Sequence, residues 1–290
     1  MLLIAGTIPV KGNSLIEGEA KLQGEHLLVD GHKIPCTQGT AAMVSAAAIT
    51  TEYLGIDAPN VILAEDIGNG EGSRELYKYL TSKLPEISPR TLTLHYFLPI
   101  MLLMERLIES SEKCSKRPTL IADAGAMYAA KAAGLAPKFD VFTPDIGEMA
   151  FLADPDVTHP AYIRYYLSDA DTTDLISNAH ELNNLAGTLI VKGETDYITK
   201  DGKIVDTVEK PCVPPMEAIG GTGDTITGLI SAFIYAGLKP HEAALIAAKS
   251  NRVAGKFSEA TPSTKIWEII SQFPTVFKEY LCGWTGICIL

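Results

Sequence analysis

The stretch Ile219-Gly220-Gly221-Thr222-Gly223-Asp224-Thr225 runs directly into Ile226-Thr227-Gly228-Leu229-Ile230-Ser231-Ala232-Phe233. Ile226, Leu229, Ile230 and Phe233 recur at helical spacing, so a glycine-rich turn opens a helix here. Such a turn lets backbone N–H groups converge on an anion, and the positive end of the helix dipole adds to the attraction. Asp224 puts a carboxylate inside that anion site. A site that only holds phosphate gains nothing from it. A site that must take a proton from a hydroxyl while phosphate is transferred needs one. The same residues also suit an ordinary helix start, with Thr222 as N-cap and Asp224 in the first turn.

Outward from this stretch, short β-rich runs alternate with helical patterns. Val61-Ile62-Leu63-Ala64, Thr91-Leu92-Thr93-Leu94, Thr119-Leu120-Ile121-Ala122, Asp140-Val141-Phe142 and Thr188-Leu189-Ile190-Val191 read as strands, and Ile100 to Ile108 as a helix. This alternation predicts an α/β chain on a mainly parallel sheet, whose ligands sit at the carboxyl ends of the strands. The polar motifs fall there: Asp66, Asp123, Thr143-Pro144-Asp145 and Lys192-Gly193. The segment 8–35 differs, with alternating character and an Asp30-Gly31 turn. It reads as a sheet extension or, less simply, as a small β flap serving as lid or dimerisation surface. No repeat or linker interrupts the chain, so 1–290 is expected to form one domain. The apolar tail 281–290 is expected to pack on the body or on a partner subunit.

The 290 residues are 47% hydrophobic and 20% charged, enough for one large core. A net charge of −11 argues against nucleic acid as a partner. The five cysteines show no metal or redox spacing, which predicts free thiols in a cytoplasmic protein and disfavours a Cys282–Cys288 pair. The N-terminal run Met1 to Gly6 lacks a charged leader region and reads as a buried strand. Tyr96 to Met104, the longest apolar stretch, is too short to cross a bilayer, so no membrane partner is expected. His95 and His159 are disfavoured as ligands.

Three more motifs bear on Asp224. In Thr143-Pro144-Asp145-Ile146-Gly147-Glu148 two carboxylates three residues apart share a helix face, suited to holding Mg²⁺ through water or, equally, to a capping box. Lys192-Gly193 closes a strand, and Asp66-Ile67-Gly68-Asn69-Gly70 is a glycine-rich acidic loop. In this order the motifs resemble the ribokinase-like superfamily, and 188–260 is most similar to its ADP/ATP-dependent NAD(P)H-hydrate dehydratases. The family's T-P-x-x-G-E is matched by Thr143-Pro144 and Gly147-Glu148, its K-G by Lys192-Gly193, and its M-A-x-G-G-T-G-D-x-x-x-G by Met216 to Gly228 with a substitution. Sugar kinases more often read T-G-A-G-D at the last place. The departures fall on the substrate side: Asp145-Ile146 replaces His-Pro, and Asp123-Ala124-Gly125 replaces D-A-D. Asp145-x-x-Glu148 is similar to the N-x-x-E magnesium motif of sugar and vitamin kinases.

The resemblance implies a ribokinase-like three-layer α/β/α sandwich that binds ATP or ADP with Mg²⁺ and assembles as a homodimer or homotetramer. It implies Asp224 as the catalytic base and Gly221, Thr222 and Gly223 as an anion hole. Lys192, Gly193, Met216 and Asn251 would line the nucleotide site, and Glu148 with Asp145 would orient the metal. Gln38, Gly39, Thr40, Asp66, Asn69 and Asp123 would face the small-molecule acceptor, with Asp123 equally readable as a strand-end turn residue. In the dehydratase, phosphorylation of a hydroxyl on a hydrated nicotinamide ring makes a leaving group whose elimination restores the dihydropyridine. In the alternative, a sugar, vitamin-precursor or nucleoside kinase, the phosphate stays on the product. A nucleotide sensor without turnover has no physical need of Asp224. A Rossmann dehydrogenase would carry G-x-G-x-x-G after the first strand, where none occurs.

Overall fold

Strands buried on both faces read as near-continuous apolar runs, and the central strands of this chain do so. The structure is a computed structural model and describes residues 1–12, 14–156 and 171–288. Strands β1 (Leu2–Ile8), β5 (Asn60–Glu65), β6 (Thr91–His95), β7 (Thr119–Asp123), β8 (Val141–Phe142) and β9 (Thr188–Val191) form a parallel block in the order β9-β8-β7-β6-β1-β5. On the β9 side, β10 (Asp196–Lys200) and β11 (Lys203–Val208) add an antiparallel hairpin. On the other side β2 (Leu15–Gln23) pairs antiparallel with β5, and β3 (His26–Val29) and β4 (His32–Pro35) continue outward. The segment with alternating character thus lies in line with the sheet.

Successive strand residues point to opposite faces. Leu3, Ala5, Ile62 and Ala64 join the cluster under helices α2 (Glu71–Ile87), α3 (Met101–Ser111), α4 (Gly125–Ala132), α5 (Ile146–Ala153) and α6 (Thr172–Glu181). On the opposite face, Leu2, Ile4, Val61 and Leu63 pack with α1 (Gly39–Leu54), while Ile121 and Ile190 pack with α7 (Thr222–Ala236) and α8 (Pro240–Phe257). The result is a three-layer sandwich, as expected.

Helix α1 is apolar nearly all round and buried over most of its length, as suits a helix pressed between the sheet and α7. The approach of α7 is set by Gly228, where an added Cβ would stand 2.1 Å from the Met43 carbonyl oxygen. That proximity brings the N-termini of α1 and α7 side by side at the carboxyl edge of the parallel strands. Along the same edge, Gly6, His95 and Asp123 are in register on β1, β6 and β7.

Among the described residues no helix is long and apolar enough to cross a membrane. One cysteine expectation is corrected. Cys282 and Cys288 form a disulfide, because a short helix over Cys282–Thr285 and a left-handed turn at Gly286 bring their Cα atoms to 4.5 Å. Cys36, Cys114 and Cys212 are free. In the tail, Leu281 is buried and Trp284 packs against the α7–α8 cluster; Ile289 and Leu290, like His159, lie outside the described residues.

Candidate active site

The glycine-rich turn does open a helix, but Thr222 is not its cap. Gly221 holds that position at φ 99°, no side chain caps α7, and Thr222 Oγ1 instead donates back to the carbonyls of Met216 and Ile219, 3.1 Å from each. An uncapped helix start offers its first amides and its dipole to an anion. Asn251 Nδ2 braces the turn from α8, donating to the Thr222 carbonyl at 3.0 Å, while its Oδ1 lies 2.8 Å from Thr225 Oγ1. Met216 packs beneath, against Gly255. Gln38 lies over Gly220, so the start of α1 forms the adjoining wall.

Asp224 projects from the first turn of α7 with 14% of its side chain exposed. The Gly39 N–H donates to its Oδ2 at 2.7 Å across 185 residues of sequence, and His95 Nε2 stands 3.1 Å from its Oδ1. Burial opposes ionisation of this carboxyl, but the His95 ring, Lys192 and the Gly39 amide outweigh it and hold it below the ordinary aspartate range. Gly39 has to be glycine twice over. Its φ is +64°, and a Cβ would come 2.8 Å from the Tyr96 ring. Tyr96 itself has φ +53°, unusual for an aromatic residue, and is half exposed at the mouth of the site with its ring 4.0 Å from that of His95.

Beside the base lies a charge cluster. Lys192 Nζ is 3.2 Å from Asp123 Oδ1, and an added Cβ on Gly223 would be 3.4 Å from that ammonium, so Lys192 lies directly against the anion loop. Burial works to discharge Lys192; Asp123, Glu148, Asp224 and Asp145 overcome it and keep the ammonium charged well above the usual lysine range. Asp123 is buried, its Oδ1 also taking the Ala124 N–H at 2.9 Å and its Oδ2 the Thr227 hydroxyl at 2.7 Å. Among the described residues, one donor atom each from His95, Asp123 and Asp224 lie within 4.8 Å of one another. Lys192 already supplies positive charge at this point.

Asp145 and Glu148 form the reciprocal capping box of α5, at 2.8 and 2.9 Å. Tyr128 donates to the second oxygen of Glu148 at 2.8 Å. Burial pushes the Glu148 carboxyl up to about 7 against the pull of Lys192, with Asp123 and Asp145 adding to the rise. This donor set fits magnesium held through water: hard oxygen donors, each Glu148 oxygen with one hydrogen bond and a remaining lone pair, in a place crowded with negative charge.

The other sequence-predicted residues divide. Thr40 sits beside His95, their Oγ1 and Nδ1 2.8 Å apart. Gly193 forms the turn after β9, its N–H donating to Asp196 at 3.1 Å. Asp66 accepts the N–H groups of Gly68, Gly70 and Ser73, and Asn69 accepts that of Glu71, so both serve the loop that starts α2. Sequence reasoning missed His95 and Tyr128. The signal for His95 was present: it ends a parallel strand, the position at which Asp66, Asp123 and Lys192 had been picked out.

A family model described as NAD(P)H-hydrate dehydratase matches residues 103–272, more than half of the chain. An uncharacterised protein of Methanocaldococcus jannaschii is 39% identical over 242 residues, 82% of this chain and 100% of that one. The bifunctional NAD(P)H-hydrate repair enzyme of Pyrobaculum aerophilum is 38% identical over 98 residues, 33% of this chain but only 19% of that enzyme. In three dimensions the ADP/ATP-dependent NAD(P)H-hydrate dehydratase of Bacillus subtilis, co-crystallised with ATP and Mg²⁺, superimposes with TM-score 0.55 at 16% identity, over 82% of this chain and 83% of that one. That last likeness establishes the fold, which is ribokinase-like.

Proposed function

The chain belongs to the NAD(P)H-hydrate dehydratase family, and on that premise we propose that it uses ADP or ATP to dehydrate NAD(P)H hydrate. The observation that carries the proposal is an ionised, largely buried Asp224 at an uncapped helix start, with Lys192 against the same loop. The amides of Gly221, Thr222 and Gly223 receive the transferring phosphoryl as an oxyanion-type site. Lys192 offsets the negative charge there, braced on Asp123.

Asp224 has one hydrogen bond to Oδ2 and a lone pair left on each oxygen for the acceptor's hydroxyl. A carboxylate held below its usual range cannot strip a hydroxyl in the ground state. In a loose phosphoryl transfer it need not: it orients the oxygen and accepts the proton as the new P–O bond forms. Loss of phosphate from the ring carbon and of a proton from its neighbour then restores the double bond. A magnesium ion held through water by Glu148 and Asp145 would supply charge neutralisation to the nucleotide phosphates.

A cytoplasmic location and a homodimeric or homotetrameric assembly belong to the same proposal, and both rest on the family resemblance. The test is to supply hydrated NADH with ADP or ATP and follow the recovery of reduced-nicotinamide absorbance. Recovery dependent on nucleotide is expected. If hydrate is left untouched while sugars, hydroxymethylpyrimidines or nucleosides drive ADP release from ATP, the kinase reading replaces this one.

A further inference from the structure

We infer that His95 is a positioning residue that carries a proton on both ring nitrogens and, as a cation, holds Asp224 ionised and aimed at the acceptor; this rests on the reading of Asp224 as the base.

Thr40 Oγ1 lies 2.6 Å from the Thr7 carbonyl oxygen, which can only accept, so the single hydroxyl hydrogen of Thr40 is directed there. His95 Nδ1, 2.8 Å from the same Oγ1, must therefore be the donor of that second contact and carries a hydrogen. The other nitrogen, Nε2, faces Asp224 Oδ1 at 3.1 Å with the His95 side chain fully buried. Were Nε2 bare, its electron density would lie 3.1 Å from a carboxylate oxygen out of reach of water, a costly arrangement at low dielectric. A proton on Nε2 removes the conflict.

Charge decides where that proton resides. The groups facing the ring are Asp224 from α7, Asp123 in register on β7, Lys192 beyond Asp123, and the neutral Tyr96 phenol against the ring face. Lys192 is in contact with Asp123 at 3.2 Å and acts on Asp224 only from farther off, so the nearest group that can carry positive charge against Asp224 is His95. The ring then forms the counter-charge and, through Thr40, is tied to the carbonyl of Thr7 at the end of β1. Nε2 approaches Oδ1 off the line of a good hydrogen bond, so the attraction is mainly coulombic and Oδ1 keeps a lone pair for the substrate.

Two measurements test this. In wild-type protein labelled with ¹⁵N-histidine, both ring nitrogens of His95 should show imidazolium shifts at neutral pH; a shift typical of a bare ring nitrogen overturns the inference. This readout needs no turnover, so it stands apart from the failure of the dehydratase reading, which shows as inert wild-type enzyme. In the His95→Gln variant, loss of the cation raises the Asp224 carboxyl, so the acid limb of kcat/KM moves to higher pH. The expected move is about one unit, roughly a tenfold loss at the acid end, with the KM for nucleotide little changed. A folded variant whose acid limb stays in place also overturns the inference.

Discussion

Two buried ion pairs lie close together in this molecule and are built on opposite plans. Arg252 of α8 donates Nε to Asp196 at 2.7 Å, and its other nitrogens reach the carbonyls of Gly193, Glu194 and Glu209 at 2.9 to 3.1 Å. Four of the five donors of a guanidinium are thereby satisfied. Asp196 uses its other oxygen to accept the Gly193 N–H. The His95–Asp224 pair is as deeply placed, yet its contact is misaligned and Asp224 keeps bonding capacity at the cleft. Burying charge is costly unless partners saturate it. Where nearly every donor is matched, the pair locks a turn, here the one that carries Lys192 and Gly193. Where capacity is left over and directed outward, the same cost maintains a group ready for chemistry.

The contrast is attacked most severely at Asp224. Asp224→Asn should lower nucleotide-dependent hydrate turnover by about 10²- to 10⁴-fold, the range for a positioned acid–base group, while circular dichroism still reports a folded chain. Full turnover in this variant would remove Asp224 as the base. Arg252→Met should do the reverse. It strands Asp196 and should cost about 3–5 kcal/mol of stability, read as a lower midpoint in urea denaturation, with turnover largely kept in the fraction that remains folded.

A smaller effect is expected from Gly39→Ala. The left-handed backbone alone costs about 1–2 kcal/mol, and the new Cβ pushes on Tyr96. Displacement of the amide from Asp224 should then lower kcat more than it raises the KM for nucleotide. Equal kcat would show that this hydrogen bond does not orient the base.

The smallest change concerns Asp66, which resembles the Arg252 pair in being held by several hydrogen bonds within one turn. Burial opposes its ionisation, but the N–H groups of Gly68, Gly70 and Ser73 prevail and hold it below its ordinary 3.8. A lowered folded-state value adds stability that is present above the unfolded value and disappears as pH falls through the folded one. Wild type and Asp66→Asn should therefore differ by on the order of 1 kcal/mol at neutral pH and converge in acid. Parallel curves down to strongly acidic pH would contradict this account of the loop.

Much of the site was legible because its signals are local. Thr143-Pro144 with Gly147-Glu148, Lys192-Gly193 and the run into Asp224 each lie within a few residues of a strand end or helix start. The alternative reading of Thr222 as a cap fails because its hydroxyl has acceptors in the preceding turn, which a propensity cannot reveal. The Cys282–Cys288 bond was not legible in the spacing of the cysteines, because what brings the thiols together is the turn at Gly286.

Residues in sequence were thus enough to specify the alternating architecture, the anion loop and the acid within it, since periodicity and turn chemistry act over about a dozen positions. What faces that acid was settled by strand order and register. Gly39 and His95 come from elements far from α7 in the chain, and only the insertion of β1 between β5 and β6, with α1 packed on α7, brings them to the same carboxylate. Contacts of that range depend on how whole layers stack, and no stretch of sequence carries them alone.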